Sequence, residues 1–230
     1  MTKKHLHIAI DGPVGSGKSD ISMRLARELN MTFLYTGAMY RALALLCQEQ
    51  HVNRKDSAKV LGILRAHDID FGNPPRGGKT PYSILIDGKD MTDRLFTPEM
   101  DQGASDVGTI PEVRRYMVSR QKKAAEGRSV VMEGRDIGLR VLPDADLKIY
   151  LTASLEERAR RRMQQYEKKG KTISFEQMLE DTKKRDVQDS TRAADPLQKL
   201  PDAWELDTTG MLQDDVIRAI IRQLKERNLL

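Results

Sequence analysis

Apolar residues fall along this chain in two rhythms, and their alternation predicts its elements. His5–Asp11 (HLHIAID) is a short strand-like run, followed at once by a glycine-rich loop. Ile21, Leu25 and Leu29 then recur at i, i+4 and i+8, the spacing of one helix face. Met31–Tyr35 is a second short apolar run, and Ala38–Gln50 reads as a second helix. Strand, helix, strand, helix in this order predicts an α/β fold, a parallel sheet with covering helices. Ser129–Met132 and Leu147–Leu151 are further buried-strand candidates, and Ala203–Leu206 is a weaker one. Long helices are predicted at Pro111–Glu126, Leu155–Lys169, Phe175–Asp189 and Gln213–Glu226.

The texture changes between about Asp68 and Thr97. FGNPPRGGKTP is a loop rich in Gly and Pro, and Tyr82–Ile86 then alternates toward Asp87-Gly88, a good hairpin turn. This predicts a small antiparallel insert, not a second full domain.

Composition narrows the class. The chain has 230 residues, 39% hydrophobic and 32% charged, which fits a globular protein with a sizeable core. No apolar run approaches the ~20 residues of a membrane span. The N-terminus lacks the apolar core and cleavage site of a signal peptide. The one cysteine, Cys47, lies among Leu43, Leu45 and Leu46 and reads as a small core residue. These features together predict a cytoplasmic protein. The net charge of +5 fits either nucleic acid or a site built for several phosphates, and the placement of the arginines must decide.

The strongest chemical signal is Gly12-Pro13-Val14-Gly15-Ser16-Gly17-Lys18-Ser19, which matches G-x-x-x-x-G-K-[ST] between a predicted strand and a predicted helix. Glycines let backbone N–H groups turn inward around phosphate oxygens, and the helix start adds its positive dipole end. Lys18 is placed to reach the β- and γ-phosphates of a nucleoside triphosphate, and Ser19 to hold Mg²⁺. Asp20 follows in the first helical turn. The loop alone does not distinguish a kinase from a GTPase or a helicase.

Three further segments extend the pattern: Thr36-Gly37-Ala38-Met39-Tyr40-Arg41, then Gly134-Arg135-Asp136-Ile137-Gly138, then Arg185-Asp186-Val187-Gln188-Asp189-Ser190-Thr191-Arg192-Ala193. With the phosphate loop in front, the chain resembles the bacterial cytidylate kinase family from Ile8 to Gly210. The resemblance implies one P-loop kinase domain over 1–230, with a monophosphate-binding insert at about 68–104 and a helical lid at about 158–185. It implies transfer of the γ-phosphoryl group of ATP to CMP or dCMP, with Mg²⁺. By the same resemblance, Arg41, Arg135 and Arg192 grip the acceptor phosphate, in a substrate site that also includes Thr36. Ser105, Arg114 and Asp136 read cytosine, and Arg185 and Asp189 contact the sugar. Arg158, Arg161 and Arg162 are the lid arginines, and Glu133 lies near the magnesium through water.

The residue chemistry agrees. Arginine suits two-point contact with phosphate. Asp136 can accept from an amino group such as cytosine N4, while Arg114 and Ser105 can donate. Arg185, Asp189 and Arg192 fall at i, i+4 and i+7, one helix face if the helix continues that far; the plain alternative is a solvated salt-bridge face. Arg158, Arg161 and Arg162 repel one another unless an anion lies between them, and Lys168-Lys169-Gly170-Lys171 offers a hinge. The four histidines show no catalytic pairing.

The sequence departs from the family at three places. Asp20 stands where a hydroxyl residue is usual, Tyr35 where an aspartate precedes T-G-A-M-Y-R, and Glu133 where an aspartate precedes G-R-D. One reading has Asp20 replacing the carboxylate missing at position 35; its rival is weakened ATP binding or turnover. Three competing functions remain at this stage. They are another small-molecule P-loop kinase, a P-loop protein that binds nucleic acid or regulates, and a catalytically weak relative. The expected protein is a monomer acting on small molecules, with no membrane contact and no stable nucleic-acid partner.

Overall fold

The structure is a computed structural model that describes residues 5–73, 80–168 and 170–230. Part of the Gly/Pro loop and Lys169 of the hinge candidate lie outside the described residues. In chain order the first elements are β1 (His7–Asp11), α1 (Lys18–Glu28), β2 (Thr32–Tyr35), α2 (Thr36–Glu49) and α3 (Ser57–Ala66). β3 (Ile69–Gly72), β4 (Ser83–Ile86), β5 (Lys89–Asp90), α4 (Pro98–Val107) and α5 (Pro111–Ala125) follow. Then come β6 (Val130–Gly134), β7 (Leu147–Thr152), α6 (Leu155–Glu167), α7 (Phe175–Thr191), β8 (Trp204–Asp207) and α8 (Gln213–Glu226).

The chain forms two compact units: the residues up to Thr32 together with Ser129–Leu230, and Phe33–Arg128. In the first, β1 pairs in parallel with β6 on one side and β7 on the other, and β7 pairs in parallel with β8. Its core strands are apolar on both faces, as a helix-covered parallel sheet requires: Ile8, Ile10, Val130, Val131, Met132 and Leu147 are buried. Register sets Ile10 beside Glu133 and Asp11 beside Gly134, so both strands end at one level. Ligands of open parallel sheets bind beyond such carboxyl ends.

In the second unit β3, β4 and β5 form the predicted antiparallel sheet, with Asp87 and Gly88 both at positive φ in the turn. Its core joins Met39, Leu43 and Leu46 of α2 to Val60 and Leu64 of α3, Ile84 of β4, and Val113 and Met117 of α5. Cys47 is fully buried there, and burial lifts its thiol pKa to about 11.

Candidate active site

The glycine loop fills the junction between the end of β1 and Lys18, the first residue of α1. Two glycines are forced by close approach. A Cβ on Gly12 would stand 2.0 Å from the Leu151 carbonyl oxygen, and one on Gly15 would stand 2.7 Å from that of Arg158. Both also adopt positive φ, 153° and 76°. Lys18 is buried and curls over its own loop, donating to the Pro13 carbonyl at 2.7 Å and to Ser16 Oγ at 3.3 Å. Burial, then the Arg135 charge, lowers its pKa to about 7, against the pull of Glu133, Asp189 and Asp11. Ser19 Oγ donates to Glu133 Oε1 at 3.0 Å, and Glu133 is only 2% exposed at the end of β6. Asp20 stands in the first turn of α1; partial burial of its carboxyl raises its pKa, with Lys168 pulling the other way.

Just beyond β6, the Asp11 carboxylate receives the N–H groups of Ile137 at 2.9 Å and Gly138 at 2.8 Å. It thereby pins the π-helical turn Ile137–Val141 that follows Arg135 and Asp136. Burial outweighs these two bonds and raises the Asp11 pKa to about 6. Arg135 Nε donates to Asp189 Oδ2 at 2.8 Å, and Arg185 Nε lies 3.4 Å from the other oxygen. Burial opposes ionisation of Asp189, but Arg135, Arg185 and Arg192 together hold its pKa down at about 2. Asp189 is buried at the centre of this network, and Arg135 and Arg185 are half-buried around it. The helix does not continue as far as Arg192: α7 stops at Thr191 and Arg192 is extended backbone, so only Arg185 and Asp189 share its face. Arg192 Nε donates to the Asp195 carbonyl at 2.8 Å, and its Nη2 lies 3.7 Å from Asp136 Oδ1.

Two of the three arginines of α6 have protein carboxylates to meet their charge. Arg158 pairs with Asp186 at 2.7 Å and donates to the carbonyls of Ala153 and, at 3.2 Å, Val14. Arg161 pairs with Glu157 at 2.9 Å and donates to Ser16 O at 3.3 Å and Thr208 O at 2.7 Å. Arg162 turns to Thr182 of α7 instead of the phosphate loop. Two of the three thus tie α6 to that loop, with protein carboxylates meeting their charge.

In the Phe33–Arg128 unit, Thr36 is buried at the start of α2. Arg41 on the same helix donates from Nε at 3.0 Å and Nη2 at 2.6 Å to Asp101 Oδ1, and from Nη1 to the Tyr35 hydroxyl. Burial works against its charge, but Tyr35 and Asp101 hold its pKa above the ordinary arginine range. Tyr35 stacks between Phe33 and Phe96, and Tyr82 meets all three rings edge-on. Ser105 is buried in α4, and Arg114, 2% exposed in α5, lies over the Tyr40 ring.

Sequence reasoning missed several partners. Asp186 is adjacent to Arg185 in a segment already singled out, and Asp11 immediately precedes the glycine loop, so both left a signal. Asp101 and Thr208 left none, being 60 and 47 residues from the arginines they hold. No cluster of three or more His, Cys, Asp or Glu able to hold a metal occurs among the described residues.

The chain matches the family described as cytidylate kinase over residues 8–226. It is 41% identical to a cytidylate kinase of Caldanaerobacter subterraneus subsp. tengcongensis over 95% of this chain and 94% of that one. It is 43% identical to a cytidylate kinase of Solibacter usitatus over 98% and 94% of the two chains. Among solved structures, an uncharacterized protein from Eubacterium ventriosum superposes with a TM-score of 0.55 over 97% of this chain and 99% of that one, at 14% identity. That last likeness is one of fold alone.

Proposed function

The chain belongs to the cytidylate kinase family, and from that premise we propose that it transfers the γ-phosphoryl group of ATP to CMP or dCMP, giving ADP and CDP or dCDP. The observation that carries this reading is the phosphate loop at the carboxyl end of β1, with buried Lys18 folded over it.

Phosphoryl transfer needs positioning and neutralisation of charge more than covalent help from the protein. An oxygen of the CMP phosphate attacks the γ-phosphorus in line, and the bond from that phosphorus to the bridging oxygen of ADP breaks. The acceptor is already an anion near neutral pH, so no strong general base is required. Lys18 Nζ exchanges the Pro13 carbonyl and Ser16 hydroxyl for phosphate oxygens. Arg135 and Arg192 grip the acceptor phosphate with Arg41, in a substrate site that includes Thr36. Ser105, Arg114 and Asp136 read the base, and Arg185 and Asp189 the sugar. Arg158, Arg161 and Arg162 belong to the lid at 158–185, and 68–104 is the monophosphate-binding region.

Ser19 Oγ and Glu133 Oε1, 3.0 Å apart, are hard oxygens of the kind Mg²⁺ takes; Ser19 would hold the ion directly and Glu133 through water. Bound there, Mg²⁺ supplies charge to the triphosphate oxygens. We read the protein as a cytoplasmic monomer acting on free nucleotides. Its buried cysteine supports a reducing compartment. The engagement of Arg158 and Arg161 with carboxylates and loop carbonyls supports a phosphate site over a polynucleotide-binding arm.

The test is a coupled assay of ADP release with ATP and Mg²⁺ against CMP, dCMP, UMP, AMP and GMP. Release driven by CMP or dCMP, with little from the purines, is the expected result. ATP binding without acceptor-dependent release would overturn the reading.

A further inference from the structure

Tyr35 breaks a local rule. It occupies the N-cap of α2 yet makes no side-chain cap bond, at a position where Ser, Thr, Asn or Asp would stabilise the helix. A residue that gives up a cap is usually held by something else. Here its ring and hydroxyl both engage Arg41. The guanidinium carbon lies 5.2 Å from the Tyr35 ring centroid and 5.0 Å from that of Phe96. Those two rings stack at 5.8 Å with 21° between their planes, and Tyr82 braces both edge-on at 5.5 and 5.9 Å. The Tyr35 hydroxyl accepts from Arg41 Nη1, while Asp101 accepts from Nε and Nη2.

We propose that Tyr35 is a positioning residue for the acceptor phosphate, acting through Arg41; this rests on the reading of Arg41 as a phosphate-gripping group. Asp101 and Tyr35 take three of the guanidinium's five N–H groups, which leaves one on each terminal nitrogen among the described residues. Two N–H groups on neighbouring nitrogens are what two-point contact with a phosphate draws on. The phenol also matters for what it lacks. A phenol oxygen and two ring faces orient the fork without adding negative charge, so Asp101 is the one anion paired with Arg41 among the described residues.

Tyr35→Phe tests this, because it keeps the ring stack and removes only the hydroxyl. CMP and ATP kinetics are measured for wild type, Tyr35→Phe, Arg41→Ala and the double variant, with thermal midpoints alongside. The expected result is a roughly tenfold rise in the KM for CMP in Tyr35→Phe, as for loss of a hydrogen bond to a charged group. The KM for ATP should stay unchanged, and the thermal midpoint should fall by only about 4 °C, the loss of one hydrogen bond. In the Arg41→Ala background the same substitution should add nothing. An unchanged KM for CMP in an active Tyr35→Phe enzyme would overturn the role of Tyr35 alone. So would an equal rise in both backgrounds, or a parallel rise in the KM for ATP. A wild-type protein that releases no ADP with CMP would instead remove the underlying reading, and this proposal with it.

Discussion

Two regions of this molecule hold arginines in place by different physics. Around β1 and β6, Arg135, Arg185 and Arg158 are held by carboxylates, with Asp189 4% exposed among them. Around the start of α2, Arg41 has one carboxylate and a frame of aromatic rings. A charge network responds to pH and to loss of any one partner, because the charge left behind stays buried. A ring frame acts through shape and dispersion, which no titration removes. The region around the phosphate loop is therefore the electrically sensitive one, and the Phe33–Arg128 unit the mechanically set one.

The sharpest way to break this comparison is to remove the central charge. Lys18→Met should lower kcat by roughly 10³, in line with the loss of a group placed for developing charge, with the fold retained by circular dichroism. A kcat within tenfold of wild type would mean that the charged region does not carry the transfer.

Asp189→Asn comes next. It removes a buried carboxylate that half-buried Arg135 and Arg185 share and should cost about 3 kcal/mol in denaturant unfolding at pH 7. The sign with pH is definite. The folded pKa of about 2 lies below the ordinary carboxylate value of 3.8, so the stabilisation is complete above about pH 4 and is lost as pH falls through 2. The variant should lack that acid-side slope, and a slope equal to wild type would assign it to other carboxylates.

The smallest effect sharpens the other side. Phe96→Leu removes one ring from the frame and should cost about 1 kcal/mol, the worth of an aromatic pair beyond its buried area. That loss should be the same at pH 4 and pH 7 when both are measured by denaturant midpoint. A pH-dependent loss would show that the frame also supports the Arg41–Asp101 pair.

Much of the fold could be read from the chain because its signals are local. The helix at Gln213–Glu226 has the bounds its periodicity predicts, and the phosphate loop needed only glycine spacing between a strand and a helix. α3 (Ser57–Ala66) was missed, being short and interrupted by Gly62. α4 was missed because PEMDQGASDV has few apolar residues; its signals were the Thr97 cap and Pro98. The turn at Ile137–Val141 depends on Asp11, 126 residues away for the nearer bond, and no window on the sequence contains both. The same reason hid the partners of the site arginines. Residue type predicted that these arginines would need anions, but sequence spacing could not say that Asp186 and Glu157 meet two of them.

Cys47 has a use that its place in the core does not suggest. The chain carries one thiol, fully buried in the Phe33–Arg128 unit, with its pKa lifted to about 11. A thiolate-seeking reagent therefore meets a silent protein until that unit opens. Labelling rate becomes a native clock for the opening of one unit, read without mutation or added probe, and comparing it with and without nucleotide times how strongly each ligand holds that unit shut.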